Sequence, residues 1–408
     1  MTEVFQQEQR FYGFKCVDVL LLSRYCLFVA YPQWGKTGLY HFVAKMMLQK
    51  GYVDNVVIFS GNRDTELRSQ TISRVEDKKK KIKVCWGQDL VYYKKPPKGT
   101  KTLYIWDESH YGQSKSQCVD QFMYRCGITP SEISNTENYL FSISATPFSE
   151  IYNIPLQNIV RVSYTCDYWS VQHMLLSSQI KFYDSYSSDM LPYSKKTRGY
   201  VLVRVSNTGK YKKHDELVRY CKSNDIDVIL FDQEHCDSID ELLHIKPKKL
   251  TYILVKNRLQ MGKTLSCQSH IIACVETSIN KNTDSLIQGF IGRMSGYNTN
   301  TNTHIYIPSN SKKDIYKYVQ LMTNKEFNYP EMKLPSPRDY ISFILKNELN
   351  NNKKIMKYYL SAVDGNINHR YRVTEMIYEN CDQINKKYIP SKGKNLLKDK
   401  TSGNELFC

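Results

Sequence analysis

A chain of 408 residues with 41% hydrophobic residues is too long for one ordinary core and too apolar to stay disordered, so two domains and a smaller third piece are expected. Its 57 lysines and arginines against 40 acidic residues give a formal charge of +17, which favours polyanionic partners such as nucleic acid. The 12 cysteines include no Cys-x-x-Cys pair and have no His-x-x-x-His companion, so they support neither a zinc ribbon nor a redox motif and read as reduced thiols.

The first residues, MTEVFQQEQRFYG, are polar and lack a charged-then-apolar signal pattern. No apolar run approaches the roughly 20 residues of a membrane span. An intracellular protein, cytoplasmic or nuclear and not secreted, is expected. Short runs of branched and aromatic residues then alternate with longer mixed stretches, the pattern of parallel strands joined by helical crossovers and hence of an α/β fold. Strands are expected at Cys26–Ala30, Asn55–Phe59, Lys83–Trp86, Thr102–Trp106, Tyr139–Ser142 and Ile159–Val162. The pattern lapses over 166–198, rich in serine, lysine and proline, which reads as a linker between a first domain at 1–165 and a second at 199–330. It resumes at Tyr200–Val205, Asp227–Phe231, Leu250–Val255, His270–Val275 and His304–Pro308, a second parallel sheet. Residues 331–408 show helical spacing followed by KGKNLLKDKTSGNELFC, a small helical extension with a basic tail.

CLFVAYPQWGKTGLYHFVAKMML reads as strand, tight loop and helix, with Gln33, Trp34, Gly35, Lys36, Thr37 and Gly38 at the turn. Backbone N–H groups at a helix start point at a phosphate, a lysine neutralises its oxygens, and a threonine hydroxyl ligates Mg²⁺. Ala30 occupies the position where the strict phosphate-loop pattern has its first glycine, and a helix beginning after a glycine turn is the plain alternative. TLYIWDESH sets Asp107 and Glu108 at the carboxyl end of a strand, where open α/β sheets bind ligands. There Asp107 can hold Mg²⁺ through water and Glu108 can orient and deprotonate an attacking water. The alternative is a solvated acidic turn capping the next helix.

In order and spacing these segments resemble a superfamily 2 helicase of the DExH type. AYPQWGKTG is similar to motif I, WDESH to motif II and SISATP (Ser142–Pro147) to motif III, while VKNRLQMGKTLS (Val255–Ser266) and DSLIQGFIGRMSGY (Asp284–Tyr297) are similar to motifs V and VI. The resemblance implies two RecA-like lobes, ATP and Mg²⁺ as cofactors, and hydrolysis at the lobe interface. It assigns Asp107, Glu108, Gln288 and Arg293 to catalysis, with Arg293 as the arginine finger, a group that can be worth about 10³ to 10⁵ in rate. Gln33 to Gly38 would hold nucleotide, Thr37 and Asp107 the metal, and His110, Ser144 and Thr146 would couple ATP state to the track. Ser60 and Arg63, in the place of motif Ia, and Lys263 and Thr264 in motif V would touch the nucleic-acid backbone.

Two departures stand out. The common form of motif VI spaces the glutamine one residue closer to the arginine and carries a second arginine where this chain has Gly296, which raises Arg258 as a second candidate. No adenine-recognition glutamine stands out, although Gln6, Gln7 and Gln9 and the pair Phe11 and Tyr12 lie upstream of motif I. Lysine runs at Lys78–Lys81 and Lys83, at Lys94, Lys95, Lys98 and Lys101, and at Lys246, Lys248 and Lys249 are candidates for phosphate contacts, with solvated loops as the alternative. The expected activity is an ATP-driven helicase or translocase acting in replication, repair or recombination, DNA being favoured slightly over RNA. A duplex translocase, an RNA helicase and a degenerate, non-hydrolysing nucleic-acid-binding module are the rivals. The abundance of Lys, Asn, Tyr and Ile is compatible with an AT-rich coding genome such as that of a virus or phage.

Overall fold

Runs of branched and aromatic residues without polar alternation fit only sheet positions covered on both faces, and the chain sorts its strands accordingly. The structure, a computed structural model, describes residues 3–323 except 62–64, 76–80, 88, 111–117, 149, 152–153, 163–166, 188–189, 192, 194–195, 206–212, 233–237, 257, 260–264, 266, 279–282 and 298, and beyond 323 the backbone of five strands. Among the described residues there are two six-stranded, wholly parallel sheets, each flanked by helices in the RecA-like manner. By their contacts the residues divide into two compact units, one of Met1–Val29, Thr37–Arg161 and Ser336–Cys408, the other of Ala30–Lys36 and Val162–Pro335.

In the first unit, β1 (Tyr25–Val29), β2 (Asn55–Ser60), β3 (Ile82–Trp86), β4 (Thr102–Asp107), β5 (Tyr139–Ser144) and β6 (Ile159–Arg161) lie in the order β3-β2-β4-β5-β1-β6. The central strands β1, β4 and β5 are buried along their whole length, while the edges β3 and β6 are only partly covered. Helix α1 (Glu3–Ser23) turns Tyr12, Cys16, Val17 and Leu20 into the core and ends at Arg24, whose positive φ of 63° breaks the helix just before β1. Helix α2 (Lys36–Gln49) buries Leu39, Tyr40, Val43, Ala44 and Met47, a stripe at helical spacing. Helix α3 (Thr65–Arg74) follows β2.

The second unit orders β7 (Ile180–Tyr183), β8 (Gly199–Val205), β9 (Asp227–Phe231), β10 (Leu250–Lys256), β11 (Ile271–Glu276) and β12 (His304–Pro308) as β7-β12-β11-β8-β10-β9. Alternate residues Val201, Val203 and Val205 of β8 pack with Leu250, Tyr252 and Leu254 of β10 and with Leu217 and Cys221 of the helix Lys213–Ser223. Alternate residues of a strand share one face, so pairing register decides which side chains meet there.

The eleven expected strands all occur, with ends displaced by no more than two residues. Two expectations are corrected. The stretch 166–198 is not a bare linker: it holds the helix Val171–Leu176 and the edge strand β7, paired with β12 from Ile305↔Ile180 to Pro308↔Tyr183. Polar residues hid that strand, because an edge position does not demand continuous apolarity. In the extension expected to be helical, 331–355 lies outside the described residues, while Met356–Ala362 and Arg370–Met376 form an antiparallel pair and Tyr388–Pro390, Leu396–Asp399 and Glu405–Phe407 a three-stranded antiparallel sheet. Aromatic and branched residues in MKYYLSA and RYRVTEM suit a pleated surface better than a helix.

Phe141 lies in the fully buried middle of β5, its ring centroid 6.4 Å from that of Phe28 on β1. Phe141→Ala is expected to lower the unfolding free energy of the first unit by about 3–5 kcal/mol, read as a lower urea midpoint. An unchanged midpoint would mean that the core does not rest on this contact.

Candidate functional site

Parallel pairing aligns the carboxyl ends of neighbouring strands, so register alone assembles the first half of the site. Asp107 at the end of β4 is level with Ile143 of β5, and Ser144 of β5 is level with Val29 of β1. The pairing runs on past the strand end, since the Ser109 N–H donates to the Ile143 carbonyl at 2.9 Å. Glu108 has a left-handed backbone (φ 52°), and its N–H donates to Asp107 Oδ1 at 3.1 Å. The four residues of the acidic box, Asp107 to His110, are all buried. His110 Nδ1 lies 3.5 Å from Glu108 Oε2 and 3.3 Å from Ser144 Oγ, and Ser144 Oγ in turn accepts the Thr146 N–H at 3.0 Å. The three residues proposed for coupling therefore form one chain of contacts that ends on Glu108.

Beside them, Thr37 and Gly38 occupy the first turn of α2. Three residues after Thr37, the Tyr40 phenol is fully enclosed. Burial pushes its pKa far up, the Asp107 carboxylate adds to the effect, and the Thr71 and Thr37 hydroxyls oppose it. The phenol is thus a neutral group whose charged form the Asp107 carboxylate would disfavour. A hydroxyl and a carboxylate are hard oxygen donors, and Mg²⁺ is commonly held by one or two carboxylates plus substrate phosphates, so this donor set fits that ion.

In the second unit lie the loop residues Ala30–Lys36. Gln33 (φ 57°) and Gly35 (φ 97°) turn the backbone through the left-handed region, where glycine is at ease. Trp34 is buried, and its N–H donates to the Tyr31 carbonyl at 3.2 Å. Tyr31 Oη donates to the Met322 carbonyl at 3.3 Å, and Tyr168 Oη donates to the Pro32 carbonyl. Gln33 Nε2 donates to the Arg293 carbonyl at 3.1 Å, a contact shared by Gln268 Nε2 at 2.9 Å. The proposed phosphate loop and the proposed finger are thus joined directly. Arg293 and Gln288 are both buried. Arg258 lays its guanidinium over the Phe231 ring at 4.7 Å.

No family model matches the chain. Among curated proteins it is similar to an uncharacterized protein of Acanthamoeba polyphaga mimivirus, 22% identical over 237 residues, 53% of this chain and 59% of that protein. The chain thus spans less than two thirds of that relative's length. Among solved structures it is similar to S. cerevisiae Dbp5 bound to RNA and ADP BeF3, at 15% identity and a TM-score of 0.41 over 79% of this chain and 89% of that one. A variant of Dbp5 with the same ligands gives 13% identity and a TM-score of 0.43 over 79% and 92%.

Of the proposed nucleic-acid contacts, Ser60 is buried at the end of β2 with its carbonyl taken by the Gly87 N–H at 3.0 Å. Arg63, Lys263 and Thr264, like Lys78 to Lys80, lie outside the described residues. No described helix is long and apolar enough to cross a membrane. Sequence reasoning passed over two features and left the choice among the upstream glutamines open. Ser109 Oγ donates to the fully buried Glu150 carboxylate at 2.5 Å, tying the acidic box to the segment after SATP, and no spacing rule announces it. Tyr40 stands at the i+3 position from Thr37, a spacing that could have revealed it. Gln9 is the buried glutamine of its group while Gln6 and Gln7 are exposed, and its amide lies against Gly38, where an added Cβ would come within 2.7 Å of it.

His41, half-buried next to Tyr40, has its pKa lowered to about 4, first by burial and then by the Arg74 charge. It is neutral in the folded chain over the range in which an unfolded histidine, titrating near 6.5, takes up a proton. Between about pH 6.5 and pH 4 the unfolded state therefore binds more protons, and stability falls as pH falls. His41→Gln should flatten that part of the stability–pH curve in denaturant titrations; a slope identical to wild type would assign the acid loss to other groups.

Proposed function

We propose that this chain is a nucleic-acid-stimulated ATPase, a superfamily 2 type helicase or translocase. The observation that carries the reading is the level pairing of β4, β5 and β1, which groups Asp107, Glu108, His110 and Ser144 at the carboxyl ends of three adjacent buried strands. Two buried carboxylates of a solvated turn would have no need of His110 and Ser144 around them. Their enclosure argues for a chemical task.

In this reading Lys36, at the first position of α2, neutralises phosphate oxygens together with the N–H groups of the helix start. Thr37 and Asp107 hold Mg²⁺, which when bound draws charge from the phosphate oxygens. Glu108 orients the attacking water and accepts its proton, and His110 passes the occupancy of that carboxylate to Ser144 and Thr146. Arg293 is the arginine-finger candidate, and the bond from Gln33 to its carbonyl links it to the loop Ala30–Lys36 within the second unit. Gln9 is the candidate for reading the base, since it alone of the upstream glutamines is buried and packed against the start of α2. The charge of +17 supports a polyanionic track. Nothing in the described residues favours DNA over RNA, and both are arms of the test.

ATPase rates are to be measured without nucleic acid and with single-stranded DNA, duplex DNA and RNA, on wild type, Lys36→Ala and Glu108→Gln. The expected result is a wild-type rate raised by at least one polymer and lowered about 10²-fold or more by each substitution. A rate that is nil throughout, or that survives both substitutions, overturns the proposal and favours a non-hydrolysing binding module. Strand displacement by the active protein divides a helicase from a duplex translocase.

A further inference from the structure

An arginine in the middle of an apolar run is expensive to bury without a partner, and YVLVRV contains one. Arg204, near the end of β8, is 5% exposed and stands level with Glu276 of β11, which is 1% exposed. Its Nε lies 2.8 Å from Glu276 Oε2. Its Nη1 and Nη2 donate to the carbonyls of Arg258 and Leu259, at 3.0 and 2.8 Å, just beyond the end of β10. The guanidinium carbon, Cζ, lies 4.7 Å from the centroid of the Phe290 ring. Three separate segments thus end on one side chain: the exit of β11, the exit of β10, and the helix that carries Gln288 and Arg293.

That helix has a break where Arg204 meets it. After Thr283–Leu286 the helix is broken within Ile287–Ile291 by a kink at Gly289, whose ψ of −120° is not helical. The kink falls between Gln288 and Arg293, the interval that is one residue longer than in the common form. A Cβ at Gly289 would lie 2.9 Å from Arg204 Nη2. The far end of an arginine could normally swing aside, but here the ion pair and two carbonyls pin it. The kink and the guanidinium therefore occupy complementary space. Arg204 and Arg293 also come close enough that both act on the buried Cys274 thiol, easing the rise that burial imposes on it.

We infer that Arg204, held by Glu276, is a positioning residue that sets the kinked helix bearing Gln288 and Arg293 and fixes it to the segment that leaves β10. This rests on the proposed ATPase reading for its catalytic consequence but not for its structural one, and the test separates the two. Arg204→Lys keeps the charge and loses the planar fork. Amide hydrogen exchange on the full-length chain is expected to quicken over 283–295 and at 258–259, with Leu202 and Ile253 in the strand cores unchanged. Unchanged exchange in the helix overturns the inference whatever the enzyme does. Single-turnover hydrolysis then completes a double-mutant cycle. Arg204→Lys is expected to lower the rate about tenfold or more with ATP affinity held within about twofold, and to add little in an Arg293→Ala background, because it acts through that residue. A penalty that persists undiminished without Arg293 overturns the inference. Wild type that hydrolyses nothing would sink the ATPase reading instead and leave the exchange result to decide this one.

Discussion

Parallel strand pairing is the constraint on which the first unit depends, because it converts a one-dimensional order of segments into a fixed level. β4 and β1 each pair with β5, so the ends of all three strands must fall together once Trp106 is opposite Ser142 and Phe28 opposite Ile143. The side chains that enforce this are apolar and non-specific. Ile105, Phe141 and Leu27 are fully buried, and a shift of one residue would turn each of them to the opposite face of the sheet. Asp107, Glu108 and Ser144 sit where they do because the core beneath them has one acceptable register. The polar cluster is thus positioned by hydrophobic burial and only trimmed by its own hydrogen bonds.

Both units hide charged groups at strand ends, and in each the charge is engaged. In the first, Glu108 has His110, and Glu150 has the Ser109 hydroxyl. In the second, Arg204 has Glu276, two carbonyls and an aromatic face. Replacing such groups by apolar residues of similar size is often neutral or stabilising, so a buried ion pair is weak evidence for stability in itself. Its use lies in direction: a guanidinium with three occupied sides leaves its neighbours little freedom. The β11 exit has a further brace, since Thr277 Oγ1 donates to the Arg204 carbonyl at 2.6 Å.

Central strands were legible in the sequence because burial on both faces leaves a chemical trace that needs no context. The central strand His304–Pro308 was read with the boundaries the structure has, and so was the edge strand Asp227–Phe231, whose run DVILF stays apolar although only Phe231 is buried. The strand Ile180–Tyr183 was not, since IKFY in a serine-rich setting acquires its role only by pairing with β12. Helix α1 escaped for a related reason. Its exposed face carries Phe11, Phe14 and Leu22, which blur the apolar stripe of Tyr12, Cys16, Val17 and Leu20. The C-terminal strands escaped because helical spacing in one stretch was carried across residues whose own preference is for a pleated sheet.

By itself the sequence determined the chemical inventory and its order: a Gly-Lys-Thr turn after a strand, an acidic pair after another, Ser-Ala-Thr-Pro after a third, and an arginine near the end. These are local patterns, and local patterns survive in one dimension. What only the tertiary structure decided is which distant groups meet: His110 with Ser144, Gln9 with Gly38, Gln33 with the Arg293 carbonyl, and Arg204 with Glu276 and Gly289. Each pair is separated by tens to hundreds of residues. Strand order and register bring together residues that no spacing rule relates, because those depend on how the whole sheet buries its apolar faces.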